Sequence, residues 1–355
     1  MSDRRLRLGF IGAGFIGQLA YIQTLMANPR AELVAVAEMR RDLREKVQRR
    51  YGFPNAYADE RALLADQNVE AVVAITARPN TGPTALRVLQ AGKHLLTEKP
   101  MCGTLEQAER LVAAARKAGV VYQVGYNRRH DPGTAIAAGI LREIASSGEL
   151  GTLNYIRSQH FSGDPYRNII GDERSAEPPP RLESWPMSPE WLKAEDRPEY
   201  EFFINVSCHA VNLLRFFQPG DYRVEHTGLK NRLGQVVVVS DGTRQATLEF
   251  GRFGNVGWDE SFELYFDRGR LLIEYPSPMN RNVGARVELY KGGDQPTLIS
   301  PQTPAKWSFA LQADSFVAAI LDGVPPFVSG EEALEDIRLI DAIWRKAGGA
   351  REKAW

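Results

Sequence analysis

Three glycines, Gly12, Gly14 and Gly17, stand at the spacing G-x-G-x-x-G, directly after an apolar run and at the head of an amphipathic one. The spacing serves phosphate chemistry. The first glycine makes a tight turn, the second brings bare backbone up to a pyrophosphate, and the third lets a helix pack closely on a strand. The helix N-terminus adds free N–H groups and the positive end of its dipole, and Phe15 and Ile16 belong to the same predicted cofactor loop. Twenty-one positions after Gly17 comes Glu38. A carboxylate there accepts hydrogen bonds from ribose hydroxyls and repels a 2′-phosphate, so NAD is expected in preference to NADP. Arg40 and Arg41 follow at once; they either turn onto a 2′-phosphate or lie solvated at the start of the next helix.

Glu98-Lys99-Pro100 closes another apolar run, at the sheet edge where open α/β folds bind ligands. A lysine beside a nicotinamide cation meets like-charge repulsion and desolvation, which prepares it for proton exchange or for stabilising an alkoxide. Taken alone, the tripeptide fits a surface lysine equally well. Further on, Asn205, His209 and Asn212 stand at i, i+4 and i+7, one polar stripe on a helix, beside an apolar stripe of Phe203, Val206, Ala210, Leu213 and Phe217. A histidine in such a seam is either structural or a proton acceptor.

The elements that must position these groups are legible in the first third of the chain. Strands are predicted at Leu6–Ile11, Glu32–Ala37, Ala71–Thr76, His94–Thr97 and Val120–Gly125, alternating with helices at Phe15–Met26, Arg41–Tyr51, Thr84–Gln90 and Leu105–Ala118. Regular alternation with short connections implies a parallel sheet covered on both faces. Thr104 followed by Gln107 is a capping box, and Gly119 lies just past the same helix. After Gly125 the texture changes, and a domain boundary is placed near residue 126: a nucleotide-binding domain over 1–126 and an α+β domain over 127–355. Pro132 starts a helix that runs to about Ser147; residues 152–161 form a strand. Ala246–Phe250, Phe262–Phe266 and Arg286–Tyr290 alternate with a period of two, which predicts a large, mainly antiparallel sheet. Two helices, about Phe309–Leu321 and Glu331–Lys346, close the chain.

Between Ser162 and Tyr200 lies a stretch rich in proline, with Pro178, Pro179 and Pro180 in a row, too long for an ordinary connection. Tyr166, Trp185 and Trp191 make it read as an arm that covers a site or contacts another subunit, rather than a freely solvated loop.

Composition limits the partners. Forty-four basic residues balance forty-four acidic ones, which removes the electrostatic footprint of a nucleic-acid binder. Cys102 and Cys208 are too few for a disulfide framework, and with five histidines they show no metal-ligand spacing. Arg4, Arg5 and Arg7 precede an apolar stretch in the manner of an export signal, but that stretch carries the glycine fingerprint and is read as folded. No apolar run approaches the roughly 20 residues that cross a membrane. A soluble, cytoplasmic protein is expected.

Three pieces, FIGAGFIG, AGKHLLTEKPMCGTLEQAERLVAAARKAGV and VGYNRRHDP, together with INVSCHAVNLLRFF and FVAAILDGVPPFVSGEEALEDIRLIDAIWR, resemble the glucose-fructose oxidoreductase and inositol dehydrogenase family (Gfo/Idh/MocA) in the family's order. The resemblance implies a Rossmann domain followed by an α/β domain whose open sheet often mediates homo-oligomers, dimers or tetramers. It also implies hydride transfer between nicotinamide and a hydroxyl or carbonyl of a sugar, polyol or sugar derivative. The family's catalytic lysine falls on Lys99, next to Glu98 at the cofactor, and its aspartate and histidine fall on Asn205 and His209. Asn205 departs from the pattern, because an amide positions substrate but cannot ionise. A second departure is Thr76-Ala-Arg-Pro-Asn-Thr81, which keeps a threonine and backbone for the cofactor but lacks the family's histidine. Tyr126 and Arg128, with Arg129 and His130, are placed to bind the substrate through charge-assisted hydrogen bonds or to hold the two domains together.

The leading expectation is therefore an NAD-dependent sugar or polyol dehydrogenase, with His209 taking the hydroxyl proton, Lys99 stabilising the alkoxide, and Asn205 fixing substrate or imidazole. Two alternatives stand beside it. One is a glycosidase that keeps NAD bound and works by transient oxidation and elimination; the other is a cofactor-binding homologue without catalysis.

Overall fold

The computed structural model describes residues 4–167, 169–178, 181–231, 233–252, 254 and 257–348; Pro179 and Pro180 lie outside the described residues. Up to Tyr126 six strands form one parallel sheet: β1 (Leu6–Ile11), β2 (Ala31–Ala37), β3 (Asn55–Tyr57), β4 (Ala71–Ala74), β5 (His94–Glu98) and β6 (Tyr122–Gly125), in the order β3-β2-β1-β4-β5-β6. Every residue of β4 is buried, as a strand covered on both faces requires. The order reverses between β1 and β4, and this switch point opens a crevice at the strands' C-terminal ends.

The helices of this part are α1 (Gln23–Ala27), α2 (Arg41–Tyr51), α3 (Glu60–Ala65), α4 (Arg78–Gln90) and α5 (Leu105–Ala118). The cap of α5 forms as its sequence dictates: the Thr104 side chain accepts from the Gln107 N–H at 3.3 Å, and Gly119 leaves the helix at φ +66°. The Gln107 side chain reaches one residue further back than the standard box, to the Gly103 N–H at 3.0 Å.

Two differences from expectation matter below. The glycine helix carries a π segment, Gly17–Ile22, ahead of α1. Helix α4 starts at Arg78, not at Thr84, with Pro79 in its first turn and Pro83 inside it. Pro83 has no N–H for the Pro79 carbonyl, which is therefore open to a partner from elsewhere.

The chain divides into two compact units, and the division is not a single cut at residue 126. The first unit takes the chain up to Tyr126 together with Ile169–Pro189 and Phe309–Ile337. The last of these segments carries most of α9 (Ser308–Leu321) and the beginning of α10 (Gly330–Ala347). It joins the first unit through Phe309, whose ring stands edge-on to Tyr21 at 5.6 Å, and through a bridge between Ser329 and Gln123 on β6.

The second unit takes residues 127–168, 190–308 and the chain from Arg338. It contains α6 (Pro132–Ser147), α7 (Arg197–Val206), α8 (Cys208–Phe217) and eight strands: β7 (Leu153–Ser162), β8 (Arg223–Gly228), β9 (Gln235–Ser240), β10 (Gln245–Arg252), β11 (Trp258–Phe266), β12 (Gly269–Glu274), β13 (Arg286–Lys291) and β14 (Thr297–Ile299). They form one sheet in the order β14-β13-β12-β11-β7-β10-β9-β8, antiparallel except where β7 meets β10. Helices α7 and α8 pack on it through Phe203 against Phe250 and Phe217 against Phe262, with ring centroids 5.2 and 5.0 Å apart. The protein is thus α/β, with a Rossmann sheet and a second, mostly antiparallel sheet. Among the described residues no helix is long and apolar enough to cross a membrane.

Candidate active site

The crevice of the first unit holds a cavity of about 640 Å³, lined by Gly12, Gly14, Phe15, Ile16, Gly17, Glu38 and Thr76 among others. The three glycines act as their spacing predicts. Gly12 sits at φ +84°, and a Cβ there would stand 2.3 Å from the Ile75 carbonyl oxygen. Gly17 has the Gly12 carbonyl oxygen 2.6 Å from where its Cβ would be, the close helix-to-strand approach. A Cβ on Gly14 would meet no protein atom within 4 Å, so its bare backbone faces open cavity. This cradle fits a dinucleotide pyrophosphate.

Glu38 is buried, at 5% exposure, and braces the loop: one carboxylate oxygen accepts from the Ala13 N–H at 3.2 Å. Arg40 folds back on the same carboxylate, with Nε to one oxygen at 2.8 Å and an Nη to the other at 3.1 Å. Arg41 pairs with Glu45 at 2.9 Å on the surface of α2. Of the two arginines left open by the sequence, one is therefore tied to Glu38 at the cavity wall and the other is solvated.

Glu98 ends β5 and Lys99 follows it; neither is among the residues lining that cavity. The Glu98 carboxylate accepts from the Tyr21 hydroxyl at 2.5 Å and from the Lys99 N–H at 3.0 Å, while Gln312 donates to the Tyr21 oxygen at 3.0 Å. Burial pushes the Glu98 carboxyl above the usual carboxylate range, against the opposing pull of Lys99 and of these two donors. Lys99 itself is half-buried.

In the second unit the predicted single helix is interrupted. Asn205 lies in the last turn of α7, Ser207 forms a turn, and His209 is the second residue of α8. At the break both Ala210 and Val211 donate to the Ser207 carbonyl, and the Asn205 carbonyl receives the Cys208 thiol at 3.6 Å. Asn205 and His209 are half-buried. Asn212 leaves the expected stripe altogether. It is 1% exposed, and its side-chain and main-chain oxygens accept from Arg129 at 2.8 and 3.2 Å.

Arg128 is likewise engaged inside the second unit. It forks the Glu260 carboxylate, with Nε at 3.1 Å from one oxygen and Nη2 on the other, and lies over the rings of Trp258 and Tyr275. Both partners are about 95% buried. Tyr126, at the end of the first unit, is fully buried. His130 is held to a pKa of about 3 by burial and by the neighbouring Arg129 charge, which keeps its imidazole neutral. Sequence reasoning missed the cavity residues Arg181, Leu182 and Glu183, which arrive from far along the chain; only their place in a proline- and tryptophan-rich segment hinted at them.

A doubly wound sheet with a glycine cradle and a carboxylate at its rim defines a dinucleotide-binding fold. Residues 6–126 match the model of the Gfo/Idh/MocA oxidoreductase family, with an NAD-binding Rossmann fold. The chain is 24% identical over 341 residues to the myo-inositol 2-dehydrogenase of Thermotoga maritima, covering 92% of each chain. Among solved structures it resembles the 3-ketoreductase KijD10 of Actinomadura kijaniata, in complex with NADP and TDP-benzene, with a TM-score of 0.74, 21% identity and 98% of each chain covered. A putative NADPH-dependent oxidoreductase from Desulfitobacterium hafniense gives a TM-score of 0.78 at 17% identity, covering 99% of this chain and 97% of that one. The chain is an NAD(P)-dependent oxidoreductase.

Proposed function

We propose that the protein is an NAD-dependent dehydrogenase of a sugar or polyol. The observation that carries the cofactor half is the cavity in which the three glycines meet a buried carboxylate, Glu38, already bonded to the loop that would hold the pyrophosphate. A carboxylate at that wall takes ribose hydroxyls and disfavours a 2′-phosphate, which supports NAD. Gly12 to Gly17 would hold the phosphates, and bound nicotinamide supplies the hydride acceptor. The substrate half rests on the family match over residues 6–126 and on the named dehydrogenases among the relatives.

In this reading His209 takes the proton of the reacting hydroxyl, Lys99 stabilises the oxygen as it becomes negative, and Asn205 hydrogen-bonds substrate or imidazole. A general base contributes on the order of 10²–10⁴ in rate. NADH formation from a panel of sugars and polyols tests the assignment: Lys99→Ala and His209→Ala should each lose about 10²-fold or more, and turnover within about threefold of the parent would remove them from the mechanism. Asn205 favours a second reading, the glycosidase, because an amide at that position changes the proton traffic. Release of an aglycone without net NADH would select it. We also read the protein as a cytoplasmic homo-oligomer assembled through its eight-stranded sheet, which light scattering in solution would check.

A further inference from the structure

Of the proline-rich segment, residues 169–178 and 181–189 have a defined place within the first unit. Residues 169–178 run along the glycine helix and α2. Gln18, fully buried, trades two hydrogen bonds with the Glu173 backbone, donating to its carbonyl at 2.9 Å and accepting from its N–H at 2.7 Å. The Glu173 carboxylate pairs with Arg50 at 2.8 Å, Lys46 donates to the Arg174 carbonyl at 3.0 Å, and Glu177 accepts from the Asp42 N–H at 3.2 Å in the first turn of α2.

Residues 181–189 are fixed on the other side, to α4 and α5. The Trp185 N–H donates at 2.8 Å to the Pro79 carbonyl, the acceptor that Pro83 leaves open inside α4. The Trp185 ring lies on Gly82, where a Cβ would come within 2.3 Å of it, and Arg110 covers the ring at 5.1 Å. Asn80 donates to the Glu183 carbonyl at 2.8 Å, Arg87 pairs with the Glu183 carboxylate at 2.5 Å, and Gln107 donates to the Pro186 carbonyl at 3.0 Å. At the near end of this second anchorage, Arg181, Leu182 and Glu183 form part of the wall of the same cavity as Glu38 and the glycine loop.

We propose that the two described stretches, 169–178 and 181–189, act as a strap on the adenosine side of the cofactor cavity, with residues 181–183 as its cover, so that the dinucleotide exchanges only when the strap lifts. Leu182 supplies an apolar cover and Arg181 a cation for the nucleotide. Anchors on both flanks of a cavity, with wall residues supplied by the strap itself, are what retention requires; a loop that merely crossed the surface would need neither. The inference rests on the reading that the cavity takes a nicotinamide nucleotide.

The test is the dissociation rate of NADH and of NADPH from the full chain, followed by the loss of bound-nucleotide fluorescence on mixing with excess unlabelled ADP-ribose. Trp185→Ala removes the anchor from the strap. Gly82→Ala pushes the ring off from the other side, and alanine is the better helix former, so α4 is not weakened. Each single variant should release nucleotide at least about tenfold faster than the parent, as expected when an interface change acts on the off-rate. The double variant should be no faster than Trp185→Ala, since the three atoms nearest the new methyl all belong to the indole that is gone. Rates within about twofold of the parent in both single variants would overturn the strap while leaving the cofactor reading intact. A parent protein that binds neither nucleotide would overturn both.

Discussion

The Tyr21 hydroxyl donates to the Glu98 carboxylate at 2.5 Å, which links the π segment of the glycine helix to the residue next to Lys99. Burial holds the Glu98 carboxyl above its ordinary value, and the Tyr21 hydrogen bond opposes that rise. A carboxyl raised in the folded state favours folding below its unfolded pKa, and that contribution is lost as pH rises through the folded pKa. Tyr21→Phe removes a donor and raises the carboxyl further. The variant should lose about 1–3 kcal/mol of stability at neutral pH and progressively less as the solution is acidified, where Glu98 carries its proton in both proteins. Denaturant titrations across that range check it; a deficit that does not shrink towards acid would break the link to Glu98.

Glu38 and Arg40 make a switch of cofactor preference by a single substitution the natural test of the NAD reading. Glu38→Ser frees the Arg40 guanidinium from its two hydrogen bonds and removes the charge that repels a 2′-phosphate. The ratio of NADPH to NADH affinity should rise by about tenfold or more, the value of one charge-assisted hydrogen bond gained and one repulsion lost. Calorimetric binding of each nucleotide measures the ratio, and an unchanged ratio would take Glu38 out of the discrimination.

What the sequence discloses and what it conceals separate along physical lines. Local rules place Arg41–Tyr51 and Leu105–Ala118 to the residue, because Gly52 and Gly119 take the left-handed conformation just past each end, and for α5 the Thr104 cap also forms. The glycine turn and Glu38 are legible for the same reason, since strand, turn and helix lie within a few residues of one another. The sequence places the start of α4 at Thr84, whereas the structure begins it at Arg78, keeps Pro83 inside and gives the orphaned carbonyl to Trp185. That partner lies about a hundred residues away, and no periodicity encodes it. The break at Ser207 is equally silent, because Ser207 itself stays in the right-handed helical region, at φ −75° and ψ −13°. Arg128 was open to a substrate role until the pairing of β11 with β7 brought Glu260 under it.

That pairing makes a prediction distinct from substrate binding. Arg128→Met leaves the Glu260 carboxylate buried, with the Trp258 N–H at 3.1 Å as its remaining described donor. Breaking a buried pair from one side costs about 3–5 kcal/mol, and replacing both partners with apolar residues recovers much of it. Arg128→Met should therefore lower the unfolding free energy by that amount, and Arg128→Met/Glu260→Leu should regain most of the loss. A single variant as stable as the parent but with a raised KM would return Arg128 to the substrate.

His130 offers a clean acid signature. Its imidazole is ordinary in the unfolded chain, near 6.5, and held to about 3 in the folded protein by burial and by Arg129. A depressed value means that the unfolded state takes up a proton first as pH falls below 6.5, so stability is lost from there down to about 3 and is unaffected above. His130→Gln has no proton to take up in either state. Its stability should fall less steeply with pH across that window, by the slope that one proton carries, about 1.4 kcal/mol per pH unit. The same reasoning excludes His130 as the source of any rate change near neutrality: the pH–rate profile of His130→Gln should keep the parent's inflection, whereas an inflection that moves with this substitution would place a titrating imidazole at position 130 after all.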